Sequence, residues 1–361
     1  MRGRPHLVVA TVVALVLAAC SADPGPPETS AADAPVRATT TTLPPPPTQE
    51  RVALESAVLA GEGDQRMVAA ATGVVPGEGV RLVAVGSSEG RPVAWWSPDG
   101  RTWQRSLPDP AQFGEDASFA DVAADPVAGG WVAVGAEGGQ AAAWLSPDGV
   151  SWERATVDPG PGMSRIGATG AGFVAFGTGG GGDPGRDGGE ETAAWQSFSG
   201  QRWVRAVDDP ELFARPGAER VVAVVDTGDE VQAVVEREVQ GPEVWRSEDG
   251  LFWSSAPLVG SDLLPAAGEA GAEAAVALGS AVAMVGTDAK DDGVDAALWF
   301  STGAEAFQQV THDEAVLGGD GTQAMVGLAR HGERLVAVGT ETDEAGDVDA
   351  VVWSLPLGLA P

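Results

Sequence analysis

A motif that begins with tryptophan and recurs about every 50 residues constrains this 361-residue chain more than any other feature. Three copies read Trp-x-Ser-x-Asp-Gly-x-x-Trp, and a fourth differs only at the aspartate. A fifth copy is degenerate, and the last keeps only the first residues of the motif. A fixed period that runs through most of the chain indicates one array of repeated units rather than two or three unrelated domains. The six copies begin at Trp95, Trp144, Trp195, Trp245, Trp299 and Trp353.

Each repeat reads as four short strands joined by turns that contain glycine and aspartate, without helical periodicity. One apolar run, such as 82–86 or 335–339, usually ends in glycine. Four strands in about 50 residues are typical of a propeller blade, so the sequence predicts an all-β, six-bladed β-propeller of four-stranded blades. The last repeat stops after its third strand, and 51–58 reads as a lone strand. Pairing the two would complete the last blade and close the ring.

The Ser-x-Asp-Gly-x-x-Trp motif resembles the Asp box of BNR-repeat, sialidase-like β-propellers, and the pattern extends over 66–355. The resemblance implies a structural turn in which the aspartate accepts backbone N–H groups, the glycine takes a positive φ, and the tryptophan packs against a neighbouring turn. We therefore interpret these residues as scaffold and predict no catalytic residue among them. The structural residues are Ser97, Asp99, Gly100, Trp103, Ser146, Asp148, Gly149, Trp152, Ser247, Asp249, Gly250 and Trp253.

The first fifty residues predict export from the cytoplasm and attachment to the membrane. Two arginines precede a short apolar run that ends in Leu-Ala-Ala-Cys20, which resembles the lipobox of bacterial lipoproteins. Residues 1–19 are then a signal peptide, and Cys20, the only cysteine, is lipidated and holds the protein outside the cytoplasm on the cell membrane. Residues 20–50 are rich in proline and threonine, which predicts an extended, disordered linker. The propeller is assigned to 51–361.

The formal net charge of −31 limits the partners of this chain. So acidic a surface repels nucleic acids, which we exclude as ligands. It attracts divalent cations or a basic partner, but solubility in a saline habitat explains the acidity equally well. We expect a monomer that requires no cofactor.

Two weak candidate sites remain. Arg66, Arg165 and Arg220 stand near the start of innermost strands and could converge at one mouth of the channel to hold an anion. Alternatively, each pairs with a local carboxylate such as Asp64 or Glu219. The acidic loop between the second and third strands of the fifth repeat could bind Ca²⁺ weakly, although it does not match an EF-hand and its charges could simply be solvated. Its carboxylates are Asp288, Asp291, Asp292 and Asp295.

The function predicted from these features is non-enzymatic binding or scaffolding at the cell surface, through the loop face of the propeller. The ligand would be a protein, a cell-wall component or a glycan. The alternative is a diverged sialidase-like glycoside hydrolase or lyase, although a chain without tyrosine cannot supply the Tyr–Glu nucleophile of sialidases. A purely structural envelope component is the third reading.

Overall fold

The computed structural model describes most of the chain from Gln49 to Leu357. The predicted signal peptide, Cys20 and the predicted linker up to residue 48 lie outside the described residues, so lipidation stays a prediction. Within the described residues, no helix is long and apolar enough to cross a membrane. The described residues are 49–54, 58, 63–180, 190–207, 210–213, 219–226, 230–237, 243–257, 270–278, 281–290, 293–302, 308–310, 313–319 and 321–357.

The strands form six mainly antiparallel blades, of which the last two are joined into one sheet by a single parallel pair, Val294 with Thr322. The first strand of each blade contacts the first strands of the blades before and after it. These contacts run around a complete circle, so the six blades form a closed propeller, as predicted. The strands in chain order are β1 (Glu50–Val52), β2 (Gln65–Val75), β3 (Gly79–Ser88), β4 (Arg91–Ser97), β5 (Gln104–Ser106), β6 (Ala117–Ala124), β7 (Trp131–Glu137), β8 (Gln140–Ser146), β9 (Glu153–Arg154), β10 (Thr156–Val157), β11 (Met163–Thr169), β12 (Gly172–Gly180), β13 (Glu190–Ser197), β14 (Arg202–Arg205), β15 (Glu219–Asp226), β16 (Val231–Arg237), β17 (Glu243–Ser247), β18 (Ser254–Pro257), β19 (Ala270–Leu278), β20 (Ala281–Lys290), β21 (Gly293–Thr302), β22 (Gln308–Gln309), β23 (Thr322–His331), β24 (Arg334–Thr342) and β25 (Val348–Pro356).

Blades 1 to 5 begin at β2, β6, β11, β15 and β19, and blade 6 consists of β23, β24, β25 and the N-terminal β1. Blade 3 carries β10 as an additional, parallel edge strand beside β14. Short helical turns lie in three of the crossings between blades, at Pro110–Gln112, Pro210–Phe213 and Glu314–Leu317. The chain therefore winds each blade outward from the axis and returns to the axis through a crossing.

The N-terminal strand closes the ring, as the sequence predicts. Strand β1 pairs antiparallel with β25, with Val52 opposite Val352. The paired strand is shorter than the predicted 51–58, because the chain must leave the outer edge of blade 6 to reach the innermost strand of blade 1. On the way, Val58 is buried in the core between these two blades, and its carbonyl oxygen accepts a hydrogen bond of 3.1 Å from Nε1 of Trp95.

In blades 1, 2, 3 and 6, the first tryptophan of the motif fastens the crossing that leads into its blade, whereas Trp245 of blade 4 donates to the Glu243 carboxylate. Trp144 donates its indole N–H to the carbonyl oxygen of Gln112 at 3.0 Å, and Trp195 donates to that of Asp158 at the same distance. In blade 6, Trp353 donates to Val316 at 2.8 Å. These tryptophans are buried between blades, so each combines a large apolar contact with a satisfied indole N–H.

All six innermost strands contain a β-bulge at the same register position, which explains the glycine that ends the apolar run in most repeats. In blade 1 the bulge lies between Met67 and Ala69, opposite Gly86. A methyl group on Gly86 would lie 1.8 Å from the carbonyl oxygen of Arg66, so a side chain cannot fit there. In blade 4, Val235 takes this place, and the bulge of that blade must leave room for it.

The turn between the third and fourth strands has nearly the same geometry in blades 1 to 4, although Ser199 replaces the aspartate in blade 3. In blade 2, the carboxylate of Asp148 accepts the N–H groups of Val150 and Ser151 at 2.8 Å, and Ser146 Oγ accepts that of Gly149 at 2.7 Å. Gly149 has φ +74°, and the equivalent glycines lie between +74° and +75°. The corresponding acceptors in the other copies are Ser97, Asp99, Ser197, Ser247 and Asp249.

Each of these turns packs onto the second strand of the preceding blade. A methyl group on Gly149 would lie 2.3 Å from Cγ2 of Val83, and one on Gly100 would lie 2.9 Å from Cγ2 of Val336. The second tryptophan is buried beneath the turn, and in three copies its indole N–H donates to the glycine carbonyl, as Trp103 does to Gly100 at 3.2 Å. The other buried tryptophans are Trp152, Trp203 and Trp253, and the other glycines are Gly200 and Gly250.

Candidate functional site

The central channel is narrow and is lined by all six innermost strands. The cavity at its centre has a volume of about 110 Å³. Small residues such as Ala69, Ala70 and Gly327 line this cavity together with Arg165, Asp121 and Glu273. Gly327 lies so close to blade 1 that a methyl group on it would be 2.7 Å from Cα of Ala69. The channel is thus nearly filled by protein.

The guanidinium of Arg165 binds the bulge residues of three successive blades. Nε donates to the carbonyl oxygen of Val222 at 3.2 Å, Nη1 to that of Ser164 at 3.0 Å, and Nη2 to that of Glu273 at 3.0 Å. These three acceptors are the residues skipped by the strand pairing in blades 3, 4 and 5. Because a bulge leaves backbone groups without a partner in the ladder, Arg165 supplies the missing donors.

The three candidate arginines have different surroundings in the structure. Arg220 and Arg165 converge on the Glu273 carboxylate, with N···O distances of 2.8 Å and 3.9 Å. Arg66 does not line the channel cavity and pairs with the exposed Asp64 at 2.8 Å. In register, Arg66 and Arg220 stand two residues before the residue skipped by the strand pairing, whereas Arg165 directly follows it. Anion binding by this trio stays a prediction.

Asp121 is the channel residue equivalent to Arg165 in blade 2. Burial raises the pKa of its carboxyl above the ordinary value, against the opposing effects of the Arg165 charge and of two backbone donors. Those donors are the N–H groups of Ile166 at 2.9 Å and Val122 at 2.8 Å. Asp121 therefore links blades 2 and 3 at the axis. Neither Asp121 nor Glu273 stands out in the sequence, because their role becomes visible only when the bulges are aligned.

The acidic loop predicted to bind calcium is described only in part. Asp288 and Asp295 lie opposite each other on β20 and β21, whereas Asp291 and Asp292 lie outside the described residues. The Asp288 carboxylate binds Lys290 and also accepts a hydrogen bond of 2.8 Å from Gln309. Among the described side chains, no group of three or more His, Cys, Asp or Glu is arranged to hold a metal ion. Calcium binding here remains untested.

A groove on blade 1 offers far more space than the channel. It has a volume of about 670 Å³ and lies between the hairpin that joins β3 to β4 and the crossing 107–116 that leads to blade 2. Its apolar lining consists of Pro92, Val93, Leu107, Pro108, Pro110 and Phe113. This volume is within the range of about 300–1,000 Å³ that is usual for ligand sites.

The crossing forms one wall of this groove. Ten residues, 107–116, lead from β5 to β6. The long crossing is fixed in place: Phe113 stacks on Trp144 with 5.0 Å between ring centroids, and the N–H of Gly114 donates to Glu137 at 2.6 Å. The groove is therefore a preformed feature of a rigid segment.

Two arginines and two glutamates, Glu89 and Glu115, also line this groove. Arg91 is exposed and, in the described part of the chain, is the one arginine side chain with no hydrogen bond or ion pair. Arg105 is half-buried and follows the second tryptophan of the motif by two residues. Arginine recurs at this place as Arg154 and Arg205, in a Trp-x-Arg pattern that sequence analysis overlooked. That pattern, together with the long crossing, was the available signal for the groove.

No protein-family model and no curated protein sequence matches the chain. Solved structures do match. A protein of unknown function from Dyadobacter fermentans has a TM-score of 0.52 at 12% identity, over 86% of this chain and 99% of that one. The lectin of the fungus Aleuria aurantia, a six-bladed β-propeller that recognises fucose, has a TM-score of 0.50 at 11% identity, over 82% and 97%.

A sialidase of Trypanosoma rangeli also matches, with a TM-score of 0.48 at 13% identity, over 86% of this chain and 60% of that one. Identities this low show the fold alone. The chain is a six-bladed β-propeller.

Proposed function

We propose that this chain is a lipid-anchored, extracytoplasmic binding protein whose propeller holds its ligand in the blade 1 groove. The N-terminal sequence supports the proposed location, since a signal-like segment ends at a single cysteine and a proline-rich linker follows. The groove supports the proposed binding of a ligand. A ligand held there would sit on the face that carries the hairpins between second and third strands, which is the face predicted from the sequence to bind.

One observation carries this proposal: the groove combines an exposed apolar lining with an unpaired cation on a rigid frame. The side chain of Leu107 is 72% exposed although it borders a concave surface. Arg91 lies at the same groove in a protein with 52 acidic residues, almost all of whose other described cations are paired. An exposed apolar surface beside an unpaired charge is typical of a binding site.

The rival function, a diverged glycoside hydrolase or lyase, would place chemistry in the channel. Asp121, with its raised pKa, and Glu273 are the carboxyl groups available there. However, Arg165 is committed to three backbone carbonyls, and the cavity of about 110 Å³ is well below the range of ordinary ligand sites. These features favour a structural role for the channel.

The test is capture of partners on intact cells by proximity labelling with the full chain, comparing wild type with Leu107→Asp. Val127→Asp is the matched control, because Val127 is 83% exposed and lies on a hairpin between first and second strands. We expect Leu107→Asp to lose the labelled partner and Val127→Asp to keep it. Equal labelling by all three proteins would contradict a ligand in the groove, and release of sugar from a panel of glycosides would favour the enzyme.

The proposed lipid anchor has a separate test. Cys20→Ser should abolish incorporation of labelled fatty acid and release the protein from the membrane fraction. Retention of the label by this variant would refute the proposed anchor.

A further inference from the structure

We propose that a small pocket between blades 3 and 4 binds an organic cation that carries N–H donors, such as an alkylammonium group. The pocket has a volume of about 200 Å³. It lies where the hairpin between β11 and β12 meets the hairpin between β15 and β16 and the turn between β17 and β18. This is the face opposite the groove, so the pocket is a second site that does not depend on the one proposed on blade 1.

A buried amide without a partner lines this pocket. Gln196 is 7% exposed, and its side chain makes no hydrogen bond within the described part of the chain. Its amide atoms are nevertheless not sealed from solvent, so the pocket gives a ligand access to them. The equivalent residues of blades 1, 2 and 5 are apolar: Trp96, Leu145 and Phe300. Because an unpaired buried amide costs stability, this departure from the repeat points to a ligand that completes it.

A second departure from the repeat adds a carboxylate at the same place. The residue before the motif aspartate is Pro98 in blade 1 and Pro147 in blade 2, but it is Glu248 in blade 4. The Glu248 side chain is exposed and has no hydrogen bond or ion pair with any described residue. The turn that carries it packs onto blade 3, since a methyl group on Gly250 would lie 3.1 Å from Cγ of Gln196. Both departures therefore meet in one pocket.

The charge of the lining selects a cation. The described lining residues carry four carboxylates and no positive charge, and the carboxylates belong to Asp226, Glu230, Glu248 and Asp249. Asp249 accepts its turn hydrogen bonds through Oδ1, which leaves Oδ2 to a ligand. Arg246 lies 3.7 Å from Glu230 but does not line the pocket. One neighbouring cation does not neutralise four carboxylates.

The lining favours an organic cation over a metal ion. Among the side chains that the structure describes, no group of three or more carboxylates, imidazoles or thiols is arranged to hold a metal. Between the carboxylates lie the buried Val174 and Val231, and Val174 is the cross-strand neighbour of Gln196. Methylene groups would pack on these valines while the N–H donors bind Gln196 and the carboxylates. The volume suits one such group, because larger ligands use about 300–1,000 Å³.

The experiment is calorimetric titration of the full chain in a non-ionic detergent with n-butylammonium chloride and with a capped Gly-Lys-Gly peptide. The uncharged counterparts are n-butanol and the same peptide with norleucine in place of lysine. Tetramethylammonium supplies charge without N–H donors, and calcium chloride supplies a metal ion. The variants are Gln196→Leu, which introduces the residue of blade 2, and Glu248→Gln. Glu333→Gln is the matched control, because Glu333 is exposed on a hairpin of the same face.

We expect the two amines to bind wild type and their uncharged counterparts to fail. Gln196→Leu should weaken the binding of the amines about tenfold or more, and Glu248→Gln about threefold or more. Glu333→Gln should leave it nearly unchanged, since exposed charges more than about 10 Å away are screened. Tighter binding of the peptide would identify a lysine side chain of a partner as the source of the cation, and tighter binding of n-butylammonium a free amine.

Stability gives an independent readout. Without any ligand, Gln196→Leu should raise the urea midpoint, because it removes an unpaired amide from the interior. A lowered midpoint would assign the amide to the structure and overturn the proposal. Binding of tetramethylammonium or of the uncharged counterparts as tight as that of the amines would also overturn it, as would binding of calcium alone or of no probe at all.

Discussion

The guanidinium of Arg165 in blade 3 donates a hydrogen bond of 3.0 Å to the backbone carbonyl of Glu273, which lies two blades away around the ring. Through this bond and its bond to Val222, a single side chain joins three blades at the axis. The sequence marks Arg165 as a candidate ligand-binding residue. The structure shows that its donors are occupied by the protein itself.

Replacing Arg165 with methionine should therefore destabilise the ring strongly. The variant keeps an apolar side chain of similar length but leaves bulge carbonyls without donors. We expect a loss of about 3 kcal/mol or more in the free energy of unfolding, measured by urea denaturation.

Arg66→Gln is the matched control, since Arg66 makes an exposed ion pair with Asp64. Exposed pairs contribute about 0–1 kcal/mol, so this variant should unfold close to wild type. A similar loss in both variants would contradict the role assigned to Arg165.

Gly86→Ala should be far more damaging than an alanine in an open turn. Its methyl group would lie 1.8 Å from the carbonyl oxygen of Arg66, and the backbone of β2 would have to move. We expect a loss of about 3 kcal/mol or more in unfolding free energy, or no folded protein. Gly77→Ala has no atom within 4 Å of its new methyl group and a φ of +84°, so it should lose about 1 kcal/mol. Similar losses at the two positions would argue against the bulge as the reason for this glycine.

Val52→Asp tests the closure of the ring. Val52 is 7% exposed and packs in the core between blades 6 and 1. A carboxylate there has no partner, and we expect a loss of about 3 kcal/mol or more, with early cleavage near the N-terminus in limited proteolysis. The exposed Val127→Asp is the control. A Val52→Asp protein that melts and resists protease like wild type would mean that β1 does not hold the ring.

The turn carboxylates should contribute stability that is lost in acid. Burial alone would raise the pKa of Asp148, but the N–H groups of Ser151 and Val150 and two nearby hydroxyls outweigh it, and its pKa lies below the ordinary value. The same balance lowers the pKa of Asp99 and Asp249. Because the folded pKa is lower than the unfolded value of about 3.9, this stability is present above pH 4 and disappears as the pH falls through the folded pKa.

Urea denaturation between pH 6 and pH 3 would measure this effect. Asp148→Asn can still accept both N–H groups through its carbonyl oxygen, so it should lose little stability at neutral pH and show a flatter decline in acid. An unchanged slope would contradict the prediction. Asp121 acts in the opposite direction: its raised pKa means that ionisation lowers stability as the pH rises through the folded value.

The number of blades and the closure of the ring could be predicted from the sequence because both follow from the regular spacing of the repeats. Each tryptophan motif marks one hairpin, and the missing last strand points to the start of the chain. The candidate sites were harder to predict. The channel cluster depends on the bulge, which places Arg165 and Arg220 at different register positions while bringing both to Glu273. The groove depends on the path of a ten-residue crossing, which no repeat pattern specifies.

The position of β1 has a consequence for how the protein is made. The first strand of the ring to emerge, during synthesis and again during export, is the one whose partner, β25, emerges last. Until Val352 and its neighbours have emerged, the newly made chain can form five blades but no circle, and the edge of the unfinished sheet stays open to other chains. A long-range pairing of this kind is slow, which makes the interval before it forms the period of greatest risk of aggregation.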